Sequence, residues 1–461
     1  MTNWIPDPST LSRPAYLSLA EQFARAIEGG TLPVGTRLMP HRRLADLLGL
    51  SVQTVSRAYD ELIRRGLIAG EVGRGSFVLG PGAEARQPYL PERSGKTIDL
   101  SILKPVVESM HLERLREGFA WLADNLAAPS ALSFRPNMVM PHHRAVAADW
   151  LARQGIPAEP QGIALTNGAT PAITAAVMSV VPPGAGIAAE ALTHHTLMPL
   201  CTYLGLHLEG IAMDDDGMLP AALHEVARKG AIRAVYLQPN VINPLGRLMP
   251  ADRRGELVDV ARRHDLAIVE NDILNVMIPD RAPTLAALAP ERTLHICGFT
   301  KITVPGMRMA YLHAPPRHAT AVANRHLVAN WMATPAMADL LSHWVQGGIV
   351  TDLAAWQARA MAERHSLAAE VLGRFMPSCH GNSLHLWLPL PEVWSEETFA
   401  SQARMRGVAV AAGNAFRSSE RWRSDAIRIS LGSTRADELR SGLSTIAAML
   451  SDIPEVLLPT I

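Results

Sequence analysis

Beyond residue 98, short apolar runs closed by polar residues alternate with amphipathic helical stretches, and this alternation sets the fold class. Ala231–Leu237, Ala267–Glu270 and Leu294–Cys297 are the clearest runs. Apolar runs of this length read as strands buried on both faces. Strands that alternate with helical crossovers build a mostly parallel α/β sheet. Ligands of such sheets gather beyond the carboxyl ends of the strands, so the residues that follow each run are the ones to inspect.

Four strand ends and one later run carry chemistry. Ile163-Ala164-Leu165 leads into Thr166-Asn167-Gly168-Ala169-Thr170, with a helix predicted from near Pro171. Backbone amides at that helix start suit a phosphate, and glycine permits close approach; a plain strand-to-helix turn reads the same way. After Leu237 comes Asn243, followed by Pro244, a residue able to donate to a phenolate oxygen or to serve a turn. After Val269 comes Glu270-Asn271-Asp272, where Asp272 is suited to a protonated ring nitrogen, to an N-cap or to a structural ion pair. After Cys297 comes Gly298-Phe299-Thr300-Lys301-Ile302-Thr303-Val304-Pro305-Gly306-Met307-Arg308. An amine among Phe299, Ile302 and Val304 loses hydration, which disfavours its charged form and makes it a candidate Schiff-base nucleophile; a snorkelling lysine is the alternative. Arg308 offers a planar fork for phosphate, and Arg428, in the strand-like run Ile427-Arg428-Ile429-Ser430, offers one for a carboxylate or for a salt bridge.

The first eighty residues read differently. Tyr16, Leu19, Phe23 and Ile27 recur at helical spacing and stop at Gly29-Gly30. A second helix covers Arg42 to Leu48, Gly49 turns the chain, and Ser51 caps a third helix running to about Arg65. The run Glu71–Leu79 reads as two short strands joined at Arg74, between Gly73 and Gly75. Arg37, Arg42, Arg43, Arg57, Arg64, Arg65 and Arg74 outnumber Asp46, Asp60, Glu61 and Glu71 here, although the whole chain balances 43 basic against 43 acidic residues. Any polyanion contact is therefore local to this module.

Between the two regions, residues 80–97 carry Pro81, Pro88, Pro91 and three glycines, which marks a linker able to span roughly 60 Å when stretched. The domains expected are 1–79, then 98–461 after the linker. Cys201, Cys297 and Cys379 lie far apart, without the spacing of a zinc site or a disulfide framework. With no signal-like N-terminus and no long apolar segment, a cytoplasmic protein that engages no membrane is expected.

The module resembles the winged helix-turn-helix of the GntR superfamily of bacterial transcription regulators. Arg42-Arg43-Leu44-Ala45, Leu48-Gly49-Leu50-Ser51, Thr54-Val55-Ser56-Arg57-Ala58-Tyr59 and Gly73-Arg74-Gly75-Ser76-Phe77-Val78 carry the likeness. The resemblance implies that Ser51, Gln53, Thr54 and Arg57 face the major groove of operator double-stranded DNA, that Arg42 holds a phosphate and that Arg74 enters a minor groove. Ser51 also serves as an N-cap in that reading. Val52 departs from the pattern, where an arginine is common.

The remainder, to about residue 455, resembles a fold-type I aminotransferase, and the whole chain resembles the MocR subfamily of GntR regulators. The resemblance implies pyridoxal 5'-phosphate, with Lys301 as the Schiff-base lysine, Asp272 at the ring nitrogen and Asn243 at the ring hydroxyl. It further implies Gly168, Ala169, Thr300 and Arg308 around the phosphate, His194 stacked on the ring and Arg428 on a ligand carboxylate. Two departures stand out: Leu274 replaces a tyrosine beside the ring hydroxyl, and Leu192-Thr193-His194-His195 replaces a motif with a stacking tyrosine. A homodimer is implied, because fold-type I sites form between two subunits. The expected function is regulation by an amine, amino acid or vitamer that joins the cofactor in place of Lys301. A working aminotransferase with an appended module is the alternative, and a cofactor-free scaffold is a third.

Overall fold

The structure is a computed structural model that describes residues 4–33, 35–64, 67–71, 75–78, 97–132, 140–279, 281–419 and 421–451. The chain divides into two compact units, Met1–Gly95 and Lys96–Ile461.

In the first unit, α1 (Ala15–Glu28), α2 (His41–Leu48) and α3 (Val52–Arg64) precede an antiparallel hairpin of β1 (Ile68–Glu71) and β2 (Gly75–Val78). Each helix buries one stripe. On α3 the stripe is Val55, Ala58, Tyr59 and Leu62, at the three- and four-residue steps of a helix face. These side chains meet Leu19 and Phe23 of α1 and Leu44 and Leu48 of α2 in one core. Gly49 ends α2 in the left-handed conformation, with φ 65°. The hairpin begins at Ile68, three residues before the expected start, because fully buried Ile68 is drawn into the core and pairs with Val78. The expected tip residue, Arg74, lies outside the described residues.

The second unit opens with β3 (Ile98–Asp99), then β4 (Ile163–Thr166), β5 (Gly186–Glu190), β6 (His207–Ile211) and a small hairpin of β7 (Met213–Asp214) and β8 (Gly217–Met218). Next come β9 (Ile232–Leu237), β10 (Ala267–Asp272), β11 (Thr293–Gly298) and β12 (Ala310–His313). A seven-stranded sheet runs in the order β4-β12-β11-β10-β9-β5-β6. Strand β12 is antiparallel to its neighbours β11 and β4, while β11, β10, β9, β5 and β6 run parallel. Alternation along the strands fills a core on each face. Ala267 and Val269 join Ala234 and Tyr236 under the helix Ala169–Val180, whereas Ile268 joins Val235 and Leu237 under the helix Ala251–Arg263.

Beyond the sheet, β13 (His385–Pro389), β14 (Val408–Ala409), β15 (Ala411–Ala412) and β16 (Ala426–Ser430) complete the unit. Strands β13, β16 and β15 form a second sheet with β16 in the centre. Strand β14 pairs in parallel with β3, which fastens the start of the unit to its C-terminal part. Two further bonds fix that attachment: Ser430 N donates to Leu100 O at 2.7 Å, and Ser433 Oγ donates to Asp99 O at 2.6 Å. Gly432 is required there, since a Cβ would run into the backbone of Lys104 and Pro105.

Candidate cofactor site and nucleic-acid interface

The parallel strands end on one edge of the sheet and bring the expected residues together. Asp272 is the last residue of β10 rather than two residues beyond the strand, because the pairing with β11 continues to Asp272 opposite Cys297. The turn that carries Lys301 follows β11 directly. Its side chain is half-buried, and the amine donates to the backbone carbonyl of Leu103. Burial, then the charges of Arg428, Arg308 and Lys104, push the Lys301 amine down to about 8. The neutral form, which is the nucleophile, is therefore within reach near neutral pH.

At the end of β4, Gly168 adopts φ 101° and ψ 175°, a conformation open essentially to glycine alone. The helix it caps begins at Ala169, two residues before the expected start. Pro171 sits inside its first turn, where the missing N–H removes no intrahelical bond. A Cβ on Gly168 would lie 3.0 Å from Nη2 of Arg308, so the guanidinium lies against the glycine backbone at the mouth of this helix. Arg308 itself is exposed and holds the left-handed conformation at φ 51°. Thr300 is half-buried beside Lys301.

Arg428 is buried in the central strand of the second sheet, with its guanidinium carbon 4.6 Å above the Phe416 ring. One nitrogen donates to Asn243 Oδ1 at 3.2 Å and another to Ser101 O at 2.9 Å. Its Nε has no hydrogen-bond partner among the described residues. Burial draws the guanidinium down to about 10, still cationic at neutral pH. A buried cation with one donor to spare suits an anionic ligand, because an unmet donor in a low-dielectric site carries a desolvation penalty. Among the described residues, the partners of Arg428 include an amide oxygen and a backbone carbonyl.

His194 is half-buried, its Nδ1 2.8 Å from Thr196 Oγ1, and its ring centroid is 4.7 Å from that of His195. Burial, the neighbouring His195 and the charges of Arg428 and Lys301 hold His194 down at about 3. Leu274, at the expected tyrosine position, is buried in the apolar core.

Several groups at this edge carry no signal in the sequence. Ser101 and Leu103 take part through backbone carbonyls. Asn240 donates to Asp272 Oδ1 at 3.1 Å while its own Oδ1 accepts from Arg254 at 2.8 Å. Arg281 places Nη1 3.4 Å from Asp272 Oδ2 and donates from Nη2 to Gln154 Oε1 at 2.9 Å. His295 places Nδ1 2.9 Å from Glu270 Oε2 and Nε2 4.0 Å from Asp272 Oδ2. Burial alone would raise the Glu270 carboxyl, but His295 and the amides of Leu285 and Ala286 outweigh it and hold the group below its ordinary value. Asn240 is the exception among them, a polar residue in the same post-strand segment as Asn243.

In the first unit, Arg42, Ser51, Gln53 and Arg57 are exposed and Thr54 is half-buried. Ser51 caps α3, accepting from the amide of Thr54 at 3.1 Å, and its hydroxyl lies 2.9 Å from the Thr54 hydroxyl. Arg57 stacks 4.1 Å above the Tyr16 ring, so it ties α3 to α1 as well as presenting charge. Val52 is exposed on the same end of α3.

Known proteins fall in line with this two-part construction. The family described as Aminotransferase class I and II matches residues 103–446, and the family described as Bacterial regulatory proteins, gntR family, matches residues 15–78. The HTH-type transcriptional regulator YdeF of Bacillus subtilis is 25% identical over 98% of this chain and 97% of its own length. The HTH-type pyridoxine biosynthesis transcriptional regulator PdxR of Corynebacterium glutamicum is 26% identical over 77% of this chain and 78% of its own. Among solved structures, a kynurenine aminotransferase of Pyrococcus horikoshii matches with a TM-score of 0.71 at 22% identity, covering 78% of this chain and 91% of that one. That last likeness is one of fold.

Proposed function

Because the chain belongs to the MocR subfamily, in which a GntR-type winged helix-turn-helix is joined to a class I and II aminotransferase domain, we propose that it controls transcription in response to a small amine bound at Lys301. It is a DNA-binding regulator whose cofactor is pyridoxal 5'-phosphate. When bound, that cofactor supplies an aldehyde for an amine and a ring able to accept electrons. The residues fit it: a desolvated lysine, a glycine backbone under Arg308 at a helix start, and a carboxylate at a strand end. Lys301 would hold the aldehyde, Asp272 the ring nitrogen and Asn243 the ring hydroxyl. Gly168, Ala169, Thr300 and Arg308 would surround the phosphate, and His194 would lie on the ring.

One observation carries the regulatory reading. The two cations that would meet a ligand, Lys301 and Arg428, are held by carbonyls of a single short segment, Leu103 and Ser101. That segment leads back through β3 to the linker and the DNA-binding unit. A ligand carboxylate on Arg428 competes with Ser101 O, and a ligand that takes the aldehyde changes the partner of Leu103 O. Occupancy then alters how residues 97–104 are held, which is the differential contact that a ligand-driven switch requires. A homodimer in the cytoplasm, binding two operator half-sites, completes the proposal.

The test is titration of purified full-length protein with pyridoxal phosphate, then with primary amines bearing no acid, a carboxylate or a sulfonate. Absorbance reads the lysine-bound cofactor and fluorescence anisotropy reads operator DNA. Lys301→Ala should abolish the absorbance band, and at least one amine should change DNA affinity in the unsubstituted protein alone. An unchanged spectrum after that substitution would sink the assignment of Lys301. Because Lys301, Asp272 and Arg428 are all retained, an active aminotransferase is the second reading; sustained keto-acid release from amino acids would favour it.

A further inference from the structure

The surroundings of Asp272 differ from those of a carboxylate kept for a ring nitrogen alone. Its Oδ1 accepts from Asn240, which is itself clamped by Arg254, a fully buried guanidinium bound to the carbonyls of Pro239, Met249, Ala282 and Pro283. Its Oδ2 faces Arg281 at 3.4 Å, and Arg281 cannot swing away freely because Gln154 holds its other nitrogen. The His295 ring lies 4.0 Å from the same oxygen, with its far nitrogen on Glu270. Cys297 stands beside Asp272 on the neighbouring strand, its thiol pushed up to about 12 by burial and so uncharged. A cation fixed by the protein itself, Arg281, thus stands against Asp272.

We propose that Arg281 is a positioning residue that divides the charge of Asp272 and thereby weakens the hold of this carboxylate on the proton of the cofactor's ring nitrogen. The inference rests on the cofactor reading above and deepens it, by assigning the site to binding an amine rather than to turning it over. The physical basis is simple. A carboxylate raises the pKa of a nearby cationic acid in proportion to its unshared negative potential, and a guanidinium at 3.4 Å cancels much of that potential where water is excluded. A ring nitrogen that holds its proton less well is a poorer electron sink, while the aldehyde still takes an amine.

The experiment uses full-length protein loaded with pyridoxal phosphate labelled with ¹⁵N in the ring, and follows the ring-nitrogen chemical shift with pH. Borohydride reduction, which fixes the cofactor covalently to Lys301, is run in parallel on each variant. Arg281→Gln should raise the protonation midpoint of the ring nitrogen by about one to three units, the usual effect of an adjacent opposite charge. Arg281→Lys, which keeps the charge, should stay much closer to the unsubstituted protein. If Arg281→Gln does not fold, Gln154→Leu releases the guanidinium from its second partner and should move the midpoint the same way by less. A midpoint unmoved in a folded, borohydride-trapped variant overturns the proposal for Arg281. Failure of trapping in the unsubstituted protein instead overturns the cofactor assignment to Lys301.

Discussion

Gly168→Ala is the sharpest probe of the phosphate end of the site. At φ 101° and ψ 175° the backbone is in a region that costs a non-glycine residue about 1–3 kcal/mol, a penalty borne by the folded state with or without ligand. The added methyl would also stand 3.0 Å from Nη2 and 3.2 Å from Cζ of Arg308. The guanidinium is the far end of a flexible side chain and can withdraw, but withdrawal takes its charge from the helix mouth. A hydrogen bond to a charged group is worth about 1.5–3 kcal/mol, so its loss weakens phosphate binding by about 10- to 150-fold. Two readouts separate the effects. Thermal unfolding without cofactor measures the backbone penalty, and titration with pyridoxal phosphate against pyridoxal measures the phosphate contribution. Arg308→Gln should reproduce the loss of phosphate preference without the backbone penalty. If Gly168→Ala and Arg308→Gln both bind pyridoxal phosphate as the unsubstituted protein does, these residues do not cradle a phosphate.

Other substitutions address the remaining assignments. Arg57→Ala should weaken operator binding, flatten the salt dependence by about one unit of slope and destabilise the first unit by about 0.5–1 kcal/mol through the lost stack on Tyr16; operator affinity indifferent to salt and to this change would remove Arg57 from the interface. Ser51→Ala should cost the first unit about 1 kcal/mol with its cap, whereas Ser51→Asp keeps the cap and puts a negative charge toward DNA. Equal operator affinity for the two variants would leave Ser51 with the cap alone. The rate at which pyridoxal phosphate joins Lys301 should rise with pH and level off above about 8, because the neutral amine is the nucleophile and burial and nearby cations lower its pKa to that value. The sign for stability is the same: a lysine whose pKa is depressed on folding penalises the folded state while protonated. The cofactor-free protein should therefore gain stability from about pH 8 upward, until the unfolded chain's lysine also loses its proton.

Most of the candidate site was legible because its side chains are polar interruptions in an apolar pattern. Lys301, Asp272 and Asn243 each follow or close a buried strand, and that placement needs no knowledge of long-range contacts. What escaped was of two kinds. Backbone groups have no sequence signature, so the carbonyls of Ser101 and Leu103 could be found only once β3 was seen paired with β14. Arg281 and Arg254 look like ordinary surface arginines, yet one is a tenth exposed and the other not at all. Their side-chain partners lie 9 to 127 positions away in the chain: Asp272 and Gln154 for Arg281, and Asn240 for Arg254 at 14. In the first unit the helix boundaries followed from periodicity and from Gly49, whereas the dual engagement of Arg57 depends on Tyr16, a contact across two helices.

Sensing and catalysis ask different things of the same pocket, and the residues around Asp272 bear on which is served. A transaminating site needs a ring nitrogen that stays protonated while electrons flow into the ring, so its aspartate should be left to the cofactor. Here that aspartate also meets Arg281, Asn240 and the edge of His295. A sensing site needs reversible exchange at one amine and a mechanical consequence of that exchange. In the proposed function Lys301, with its depressed pKa, would supply the first, and the shared tether of Lys301 and Arg428 to residues 101–103 would supply the second. The two demands meet in Arg428. A ligand without an acid group would leave the Ser101 bond intact and disturb only Leu103, whereas an amino acid would compete at both. Amino acids should therefore change operator affinity more than simple amines that join the cofactor equally well, and equal responses would detach Arg428 from the switch.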